Sequence, residues 1–340
     1  CRESSDVRVF NVNVTDAPDQ ELSEGIYAER IARHLGISMY RFDLDKRKFL
    51  EGFAHTLYHN DLPLTHPNAV PMFYISRLAA QNGVKVLLSG EGADELFGGY
   101  DWRYQRLLKY LWRKRLARLV PNRLKFFFGG SFLLDDSVLM YGYKTNPGNV
   151  LNVLDFLSGR FERNHLWDAG RRAYHFVKRR DHREVLACLV ADLYEYLGHL
   201  LNRQDRAVMQ ASVECREPML DHHLVNFGVN IPLSCKIRRG EGKWILKQVA
   251  CRHIPEDIVF RNKVGFGMPI QHYLPLSDGA IYQDGFWANY FDLPWSRLKP
   301  IFNSSRDVVL SYMFLNFEIW GRLFLNGETP DDITDRFLQP

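Results

Sequence analysis

Residues 84–100 read VKVLLSGEGADELFGGY and place a glycine-rich acidic loop directly after a short apolar run. The run Val84–Leu88 is typical of a short buried strand, and the loop begins at Ser89. Four glycines allow close approach of a ligand to the backbone. Three carboxylates would repel bare phosphates, so they fit a polyphosphate only when a magnesium ion lies between them. The alternative is a plain turn in which Asp94 and Glu95 favour a helix N-terminus.

The residues before this loop alternate between predicted strands and predicted helices. Strands are predicted over residues 7–14 and 37–44, and helices over residues 24–35, 47–58 and 71–81. Strands that alternate with helices form a parallel sheet covered on both faces. Ligands bind such sheets at the carboxyl ends of the strands, which is where the Ser89 loop begins.

Composition excludes several classes of protein. The chain has 340 residues, with 46% hydrophobic and 25% charged residues, which predicts one large globular domain or two intimate ones. The net charge of +4 is too small to indicate a nucleic-acid binder. A basic stretch over residues 103–125 favours a solvated helix face, although docking to RNA, a membrane surface or an acidic partner is the alternative.

The five cysteines form no CxxC pair and have no histidine at metal-ligand spacing, which argues against a zinc site. Scattered thiols of this kind fit a cytoplasmic protein better than a disulfide framework. No apolar run approaches the roughly 18 residues that a membrane span requires. The sequence therefore predicts neither a nucleic-acid partner nor a membrane partner.

Three further segments contain candidate binding residues. Residues 241–247, EGKWILK, lack the glycine spacing and the hydroxyl residue of a P-loop, but Lys243 at a helix start could neutralise phosphate charge; the alternative is a surface lysine. Residues 261–269, RNKVGFGMP, form a basic loop that could close over an anionic substrate or be a plain turn. In residues 214–221, ECREPMLD, Arg216 indicates an ion-pair network, which is more often structural than catalytic.

Together and in this order, the four segments resemble the synthetase domain of the asparagine synthetase B family, which is related to β-lactam synthetases and lasso-peptide cyclases. The family patterns are S-G-[ED]-G-x-D-E-x-[FL]-G-G-Y, then [EA]-x-R-x-P-[FM]-L-D, then G-K or E-K opening a helix, then K-x-G-F-G-x-P. This sequence contains all four. The resemblance implies an α/β fold with a parallel sheet of the adenine nucleotide α-hydrolase-like type, truncated at its N-terminus and followed by a large helical portion.

The same resemblance implies three segments. Residues 1–100 would form the truncated nucleotide-binding core, residues 101–205 a helical insertion, and residues 206–340 a helical part that completes the active-site cleft. The implied reaction uses ATP and Mg²⁺. A substrate carboxylate attacks the α-phosphorus to give an acyl-adenylate and pyrophosphate, and ammonia then displaces AMP.

Residue roles also follow from the resemblance. Asp94 would hold magnesium on the pyrophosphate, Glu91 would take a proton from the attacking amine, and Lys243 would contact the phosphates. The nucleotide pocket would be lined by Val12, Ser89, Gly90 and Gly92, and the substrate-loop candidates are Arg216, Lys263, Gly265 and Gly267. These roles agree with the charge that adenylation places on the leaving pyrophosphate and with the proton that an attacking amine must lose.

The implied substrate is aspartate, with ammonia derived from glutamine, because β-lactam synthetases resemble this loop but use a tyrosine-centred base where Glu91 stands. A related enzyme could instead act on a sugar acid, a β-lactam precursor or a lasso-peptide precursor. A third hypothesis is a non-catalytic scaffold. A small-molecule carboxylate is the expected substrate, and a homodimer is one expected assembly.

The sequence departs from the family in two places. The phosphate-binding loop S-G-G-x-D-S is absent and is expected to end shortly before Cys1, through truncation, disorder or proteolysis, or through natural loss. The N-terminal glutaminase domain is also absent, and Cys1 is not its nucleophile because Arg2 and Glu3 follow where Gly and Ile are required. Residues 1–340 alone are therefore expected to bind ATP weakly and to be inactive.

Overall fold

A computed structural model describes residues 7–16, 24–64, 66–100, 104–105, 107–109, 111–112, 175, 177, 182–261, 267–275, 279–304 and 308–337. These residues fold into two compact units. The first unit draws on the described residues within Cys1–Leu88, Leu201–Arg216 and Ile254–Pro340, and the second on those within Ser89–Leu200 and Glu217–His253. The predicted divisions at residues 100 and 205 stay predictions, because much of residues 101–181 lies outside the described part of the chain.

The first unit begins with two parallel strands joined by a helix. Strand β1 (Arg8–Val14) pairs with β2 (Ser38–Leu44) along its whole length, and α1 (Gly25–Leu35) connects them. Helix α1 ends at Gly36, whose φ of 66° lies in the left-handed region that glycine enters without strain. The N–H of this residue donates to carbonyls of the last helical turn. Both predicted strands and the predicted helix are thus confirmed, within one residue at their ends.

Two longer helices follow and provide much of the core of this unit. Helix α2 (Lys46–Asn60) starts at Asp45, whose carboxylate accepts a hydrogen bond from the Lys48 N–H at 2.8 Å. Its apolar face is fully buried, and its members are Phe49, Leu50, Phe53 and Leu57. Helix α3 (Ala69–Gln81) contacts both β1 and β2. Both helices were predicted from the sequence, and each begins slightly earlier than predicted.

The strand before the acidic loop is shorter and more exposed than the sequence predicts. Strand β3 (Val86–Leu88) pairs in parallel with β4 (Glu214–Arg216) over three residues. Val86 is 40% exposed and Leu88 is 73% exposed, so the prediction of a buried strand is wrong. The described residues contain two separate two-stranded sheets, in which each strand has a neighbour on one edge only. A sheet of two three-residue strands gives β3 few neighbouring side chains, which leaves Val86 and Leu88 exposed. The predicted parallel pairing is confirmed.

The described part of the second unit is mainly helical. It contains α4 (Ala93–Phe97), α5 (Arg183–Ala191), α7 (His222–Asn230), α8 (Leu233–Lys236) and α9 (Trp244–Ala250). A π-helical turn, Asp192–Tyr196, leads into α6 (Leu197–Met209), which continues into the first unit. Seven consecutive residues of α5 are buried, and Leu96 and Phe97 of α4 pack with Ile231. These contacts fix the position of α4, which follows the acidic loop.

The chain ends in the first unit with short helices and one long helix. They are α10 (Glu256–Val259), α11 (Ile270–Tyr273), α12 (Phe286–Phe291), α13 (Trp295–Ser304), α14 (Val308–Phe324) and α15 (Pro330–Phe337). Inside this part, Glu318 and Arg322 form a buried ion pair at 2.9 Å. The basic stretch predicted to be a solvated helix face lies mostly outside the described residues.

Among the helices described here, none combines the length and the apolar character that crossing a bilayer demands.

Candidate active site

The acidic loop turns tightly before it enters α4. The N–H of Glu91 donates to Ser89 Oγ at 3.2 Å, and the N–H of Ala93 donates to the Gly90 carbonyl at 3.3 Å. Gly92 has a φ of 88°, and a Cβ added there would overlap the side chain of Leu220. Position 92 therefore requires glycine both for its backbone conformation and for its packing.

Asp94 and Lys243 form an ion pair at the centre of the candidate site. Lys243 Nζ lies 3.0 Å from Asp94 Oδ1. The side chain of Lys243 is 28% exposed and that of Asp94 is 24% exposed, so a ligand from solvent could reach both. The structure thus joins two residues that the sequence analysis selected from two separate segments.

The backbone holds this ion pair in place from both sides. The N–H groups of Gly98 and Gly99 donate to the Asp94 carbonyl at 2.9 Å and 3.0 Å, and the N–H of Lys243 donates to the Phe97 carbonyl at 3.0 Å. Lys243 directly precedes α9, as predicted, with a φ of 54°. A Cβ at Gly99 would overlap both the Asp94 carboxylate and the Lys243 side chain. The missing side chain of Gly99 is therefore needed for the approach of Lys243 to Asp94.

Negative charge accumulates along this segment. Glu95 is buried, and the Tyr100 hydroxyl donates a hydrogen bond to its Oε1 atom. Burial raises the pKa of Glu95, the hydrogen bond from Tyr100 opposes that rise, and the charges of Asp94 and Glu91 add to it. Burial, together with the Glu95 carboxylate, also raises the pKa of Tyr100. The charges of Asp94 and Glu91 therefore disfavour a third negative charge on Glu95.

The donor set fits magnesium bound together with a polyphosphate. Throughout the described ranges, no three His, Cys, Asp or Glu side chains come together as a metal site. Mg²⁺ does not need such a cluster, because it usually keeps several waters and binds through one or two carboxylates plus substrate phosphates. The partly exposed carboxylate of Asp94 meets that requirement.

The other predicted site residues fall into two groups. Ser89, Gly90, Glu91 and Gly92 share the second unit with Asp94 and Lys243, whereas Val12, Arg216 and Gly267 belong to the first. Val12 is buried in β1, Gly267 is exposed, and Arg216 pairs with Glu214 at 2.9 Å on the surface. Lys263 and Gly265 lie outside the described residues.

Sequence reasoning missed one pair of polar residues in this region, Glu95 and Tyr100. Glu95 was counted among the three carboxylates of the loop, or alternatively as a helix N-terminal residue, yet it is 1% exposed and hydrogen-bonded to Tyr100. A signal was present, because Leu96 and Phe97 directly follow Glu95 in a short helix and both are buried. A carboxylate among such neighbours is placed in the interior, where it needs hydrogen-bond donors.

Comparison with known proteins gives a family match that covers all four segments. The profile of the family described as asparagine synthase matches residues 2–280, a range that includes all four quoted segments. The chain is 27% identical over 268 residues to asparagine synthetase [glutamine-hydrolyzing] 1 of Bacillus subtilis, covering 75% of this chain and 42% of that protein.

Two further relatives have similar coverage. Asparagine synthetase [glutamine-hydrolyzing] 3 of Bacillus subtilis is 26% identical over 267 residues, covering 77% of this chain and 38% of the relative. The amidase chyE of Penicillium rubens is 24% identical over 294 residues, covering 76% of this chain and 40% of that protein. The chain therefore spans about two fifths of the length of the curated relatives it matches.

Proposed function

Since the chain belongs to the asparagine synthase family, we propose that it is the ATP-using part of an amide-forming synthetase. In the proposed reaction a carboxylate oxygen attacks the α-phosphorus of ATP, the bond to the β-phosphate breaks, and pyrophosphate leaves. An amine nitrogen then attacks the acyl carbon of the adenylate, and AMP leaves with the electrons of the broken C–O bond.

The observation that supports this proposal most directly is the ion pair between Asp94 and Lys243. Its two members lie 3.0 Å apart, remain partly exposed, and are held by backbone hydrogen bonds that depend on Gly98 and Gly99. Lys243 would contact the ATP phosphates, and its charge would stabilise negative charge on the leaving pyrophosphate. Asp94 would hold Mg²⁺, which when bound supplies further neutralisation of the phosphate charge.

Glu91 is the proposed proton acceptor for the attacking amine. It lies on the loop that leads into α4, three residues before Asp94, and its backbone N–H donates to Ser89 Oγ. An amine that attacks the adenylate must lose a proton, and a carboxylate close to the acyl carbon can accept it. Ser89 and Gly90 would line the adenine and ribose pocket of an adenine nucleotide α-hydrolase-like fold.

The proposed acceptor is aspartate, and the proposed nitrogen source is ammonia from glutamine. Support comes from the relatives named asparagine synthetase [glutamine-hydrolyzing], which are more than twice as long as the part that this chain spans. A glutaminase domain would act together with this chain in asparagine biosynthesis, and we place the enzyme in the cytoplasm.

A second candidate is amide formation or cyclisation on a different carboxylate. The relatives named amidase chyE and amidase chry2, each 24% identical to this chain, favour this alternative. The chemistry at Asp94, Lys243 and Glu91 would be the same, and only the acceptor would differ.

Exchange of radioactive pyrophosphate into ATP by the natural protein tests the proposal. We expect exchange that requires Mg²⁺ and a carboxylate, because adenylation is reversible before the amine arrives. Aspartate should support exchange, whereas asparagine, which lacks the reacting carboxylate, should not. Exchange with another acid and none with aspartate would favour the second candidate. Absence of exchange across all candidate acids, by protein shown to be folded, would exclude both.

Replacing Glu91 with glutamine should separate the two half-reactions. We expect amide formation to fall by about 10²–10⁴-fold, the usual contribution of a general base. Carboxylate-dependent pyrophosphate exchange should change far less, because the first half-reaction needs no base at this position. The matched surface variant Glu51→Gln should leave both activities unchanged. Full amide formation by Glu91→Gln would show that another group accepts the proton.

A further inference from the structure

Tyr100 forms a hydrogen bond across the turn that follows α4. Two glycines come directly after this helix, and the hydroxyl of Tyr100 then donates back to Glu95 Oε1. The hydrogen bond therefore joins the residue that follows Asp94 to the residue that follows Gly99. Glycine has more backbone freedom than any other residue, so a turn of two glycines keeps one conformation only when contacts across it hold it there.

This turn lies directly against the ion pair between Asp94 and Lys243. The N–H groups of Gly98 and Gly99 donate to the Asp94 carbonyl at 2.9 Å and 3.0 Å. A Cβ placed on Gly99 would overlap both Asp94 Oδ1 and Lys243 Cε. The backbone of Gly99 is therefore in contact with both charged side chains, and a shift of this backbone would change where they can lie.

Glu95 is too deeply buried to bind a ligand itself. It is 1% exposed, whereas the side chain of Asp94 beside it is 24% exposed. A carboxyl oxygen can accept the hydrogen bond from Tyr100 whether the group is ionised or neutral. The contribution of Glu95 to the site is therefore a fixed acceptor for Tyr100, and not a contact with ATP or a metal ion.

The ring of Tyr100 has contacts that do not involve its hydroxyl. It packs in a T-shaped arrangement against Tyr196, with ring centroids 5.8 Å apart, and its centroid lies 6.5 Å from that of Tyr104. Tyr196 is the last residue of the π-helical turn that leads into α6. A Tyr100→Phe variant should keep these ring contacts, so its effects isolate the hydrogen bond to Glu95.

From these contacts we propose that Tyr100 is a positioning residue for the Asp94–Lys243 pair. Its hydrogen bond to Glu95 fixes the turn of two glycines in the conformation in which the pair can bind Mg²⁺ and phosphate. The inference rests on the proposed function for what the pair binds, but not for the conformation of the turn. Removing groups that support a metal-binding side chain typically lowers metal affinity or activity by about 10–100-fold.

Hydrogen–deuterium exchange without ATP or Mg²⁺ tests the conformation of the turn. In the Tyr100→Phe variant of the natural protein, the amides of Gly98 and Gly99 should exchange about tenfold faster, because the turn opens more often without the hydrogen bond. Tyr104→Phe is the matched control, since Tyr104 is fully buried and its hydroxyl donates to Asp192 Oδ2 at 2.7 Å. Equal exchange of the two glycine amides in both variants would overturn the proposal.

The Mg²⁺ dependence of pyrophosphate exchange tests the effect on the ion pair. Half-maximal exchange by Tyr100→Phe should require about tenfold more Mg²⁺ than exchange by the natural protein, and saturating Mg²⁺ should restore most of the rate. Tyr104→Phe should have the Mg²⁺ requirement of the natural protein, although it also loses a buried hydrogen bond. A purely structural role of Tyr100 would leave the Mg²⁺ requirement unchanged, and that result would refute its role at the pair.

A Glu95→Gln variant separates hydrogen bonding from charge. The amide oxygen of glutamine can still accept from Tyr100, so both kinds of exchange should stay close to those of the natural protein. A loss as large as that in Tyr100→Phe would show that the charge of Glu95 is what matters, contrary to the proposal.

The two measurements also distinguish this inference from the proposed function. Faster deuterium exchange in Tyr100→Phe, in a protein whose natural form shows no pyrophosphate exchange, would support the positioning of the turn and count against the proposed function. Unchanged deuterium exchange in Tyr100→Phe, in a protein that does exchange pyrophosphate, would exclude the positioning role alone.

Discussion

A Lys243→Ala variant of the natural protein should lose carboxylate-dependent pyrophosphate exchange by about 10²–10³-fold, the usual effect of removing one group that stabilises developing charge. The expectation rests on the position of Lys243, whose ammonium lies 3.0 Å from Asp94 and is 28% exposed. Negative charge builds up on the pyrophosphate as it leaves. In the variant, water would take the place of the ammonium group, and water provides no positive charge fixed at that position. The Asp94→Asn variant should lose pyrophosphate exchange to a similar extent, because the negative charge proposed to hold Mg²⁺ is removed.

Lys247→Ala provides a matched control for this experiment. Lys247 lies one turn further along α9 and pairs with Glu241 rather than with Asp94. Removing it takes away the same charge from the same helix, so an effect of net charge alone would appear equally in both variants. We expect Lys247→Ala to retain exchange within about threefold of the natural protein, well short of the loss that follows removal of a charge-stabilising group.

Unfolding cannot account for the expected loss in the Lys243 variant. Partly exposed ion pairs contribute about 0–1 kcal/mol to stability, so the melting temperature should change little. Exchange by Lys243→Ala at the level of the Lys247 control would show that the phosphates bind elsewhere. A large drop in melting temperature would instead mean that the pair is structural.

The elements that the sequence predicts well are those with local signals. Helix α1 has an apolar face and a glycine at its end, and Gly36 takes the left-handed conformation that this glycine indicates. Strand β1 alternates in character and pairs in parallel as expected. Strand β3 shows the limit of such signals, because burial depends on what covers a strand. Leu88 is apolar but 73% exposed, since the described residues give β3 a single neighbouring strand.

For the candidate site, too, the sequence predicts the local motifs but not the contacts between distant residues. Motif spacing selected Asp94 and Lys243 separately, and only the fold shows that they meet. The role of Gly99 likewise depends on a contact with residues far along the chain, because its missing side chain makes room for Lys243. The Oε2 atom of Glu95 is buried without a hydrogen-bond partner in the described part of the chain. The sequence could not predict this, because it depends on how many donors reach one buried atom.

The largest effect on stability is expected from Glu318→Ala in the first unit. The Glu318 carboxylate accepts hydrogen bonds from the N–H groups of Phe286 and Trp287 at 2.9 Å and 3.1 Å, and from Arg322 at 2.9 Å. The side chain of Glu318 is fully buried, and that of Arg322 is 4% exposed. Removing the carboxylate leaves a buried guanidinium and two buried amides without this acceptor. Loss of one partner of such a pair costs roughly 3–5 kcal/mol.

Urea denaturation of the natural protein and the variant measures this loss, with Glu51→Ala as the control. Glu51 also pairs with an arginine four residues away on a helix, Arg47, but the two side chains are 51% and 75% exposed. Its removal should change the free energy of unfolding by no more than about 0.5 kcal/mol, because exposed pairs of this spacing contribute little. The two substitutions delete the same chemical group, so the difference between them isolates the effect of burial. If Glu318→Ala unfolded at the same urea concentration as Glu51→Ala, Arg322 would have to be satisfied by its other acceptors, the Glu328 carboxylate and the carbonyls of Ile281 and Gln283.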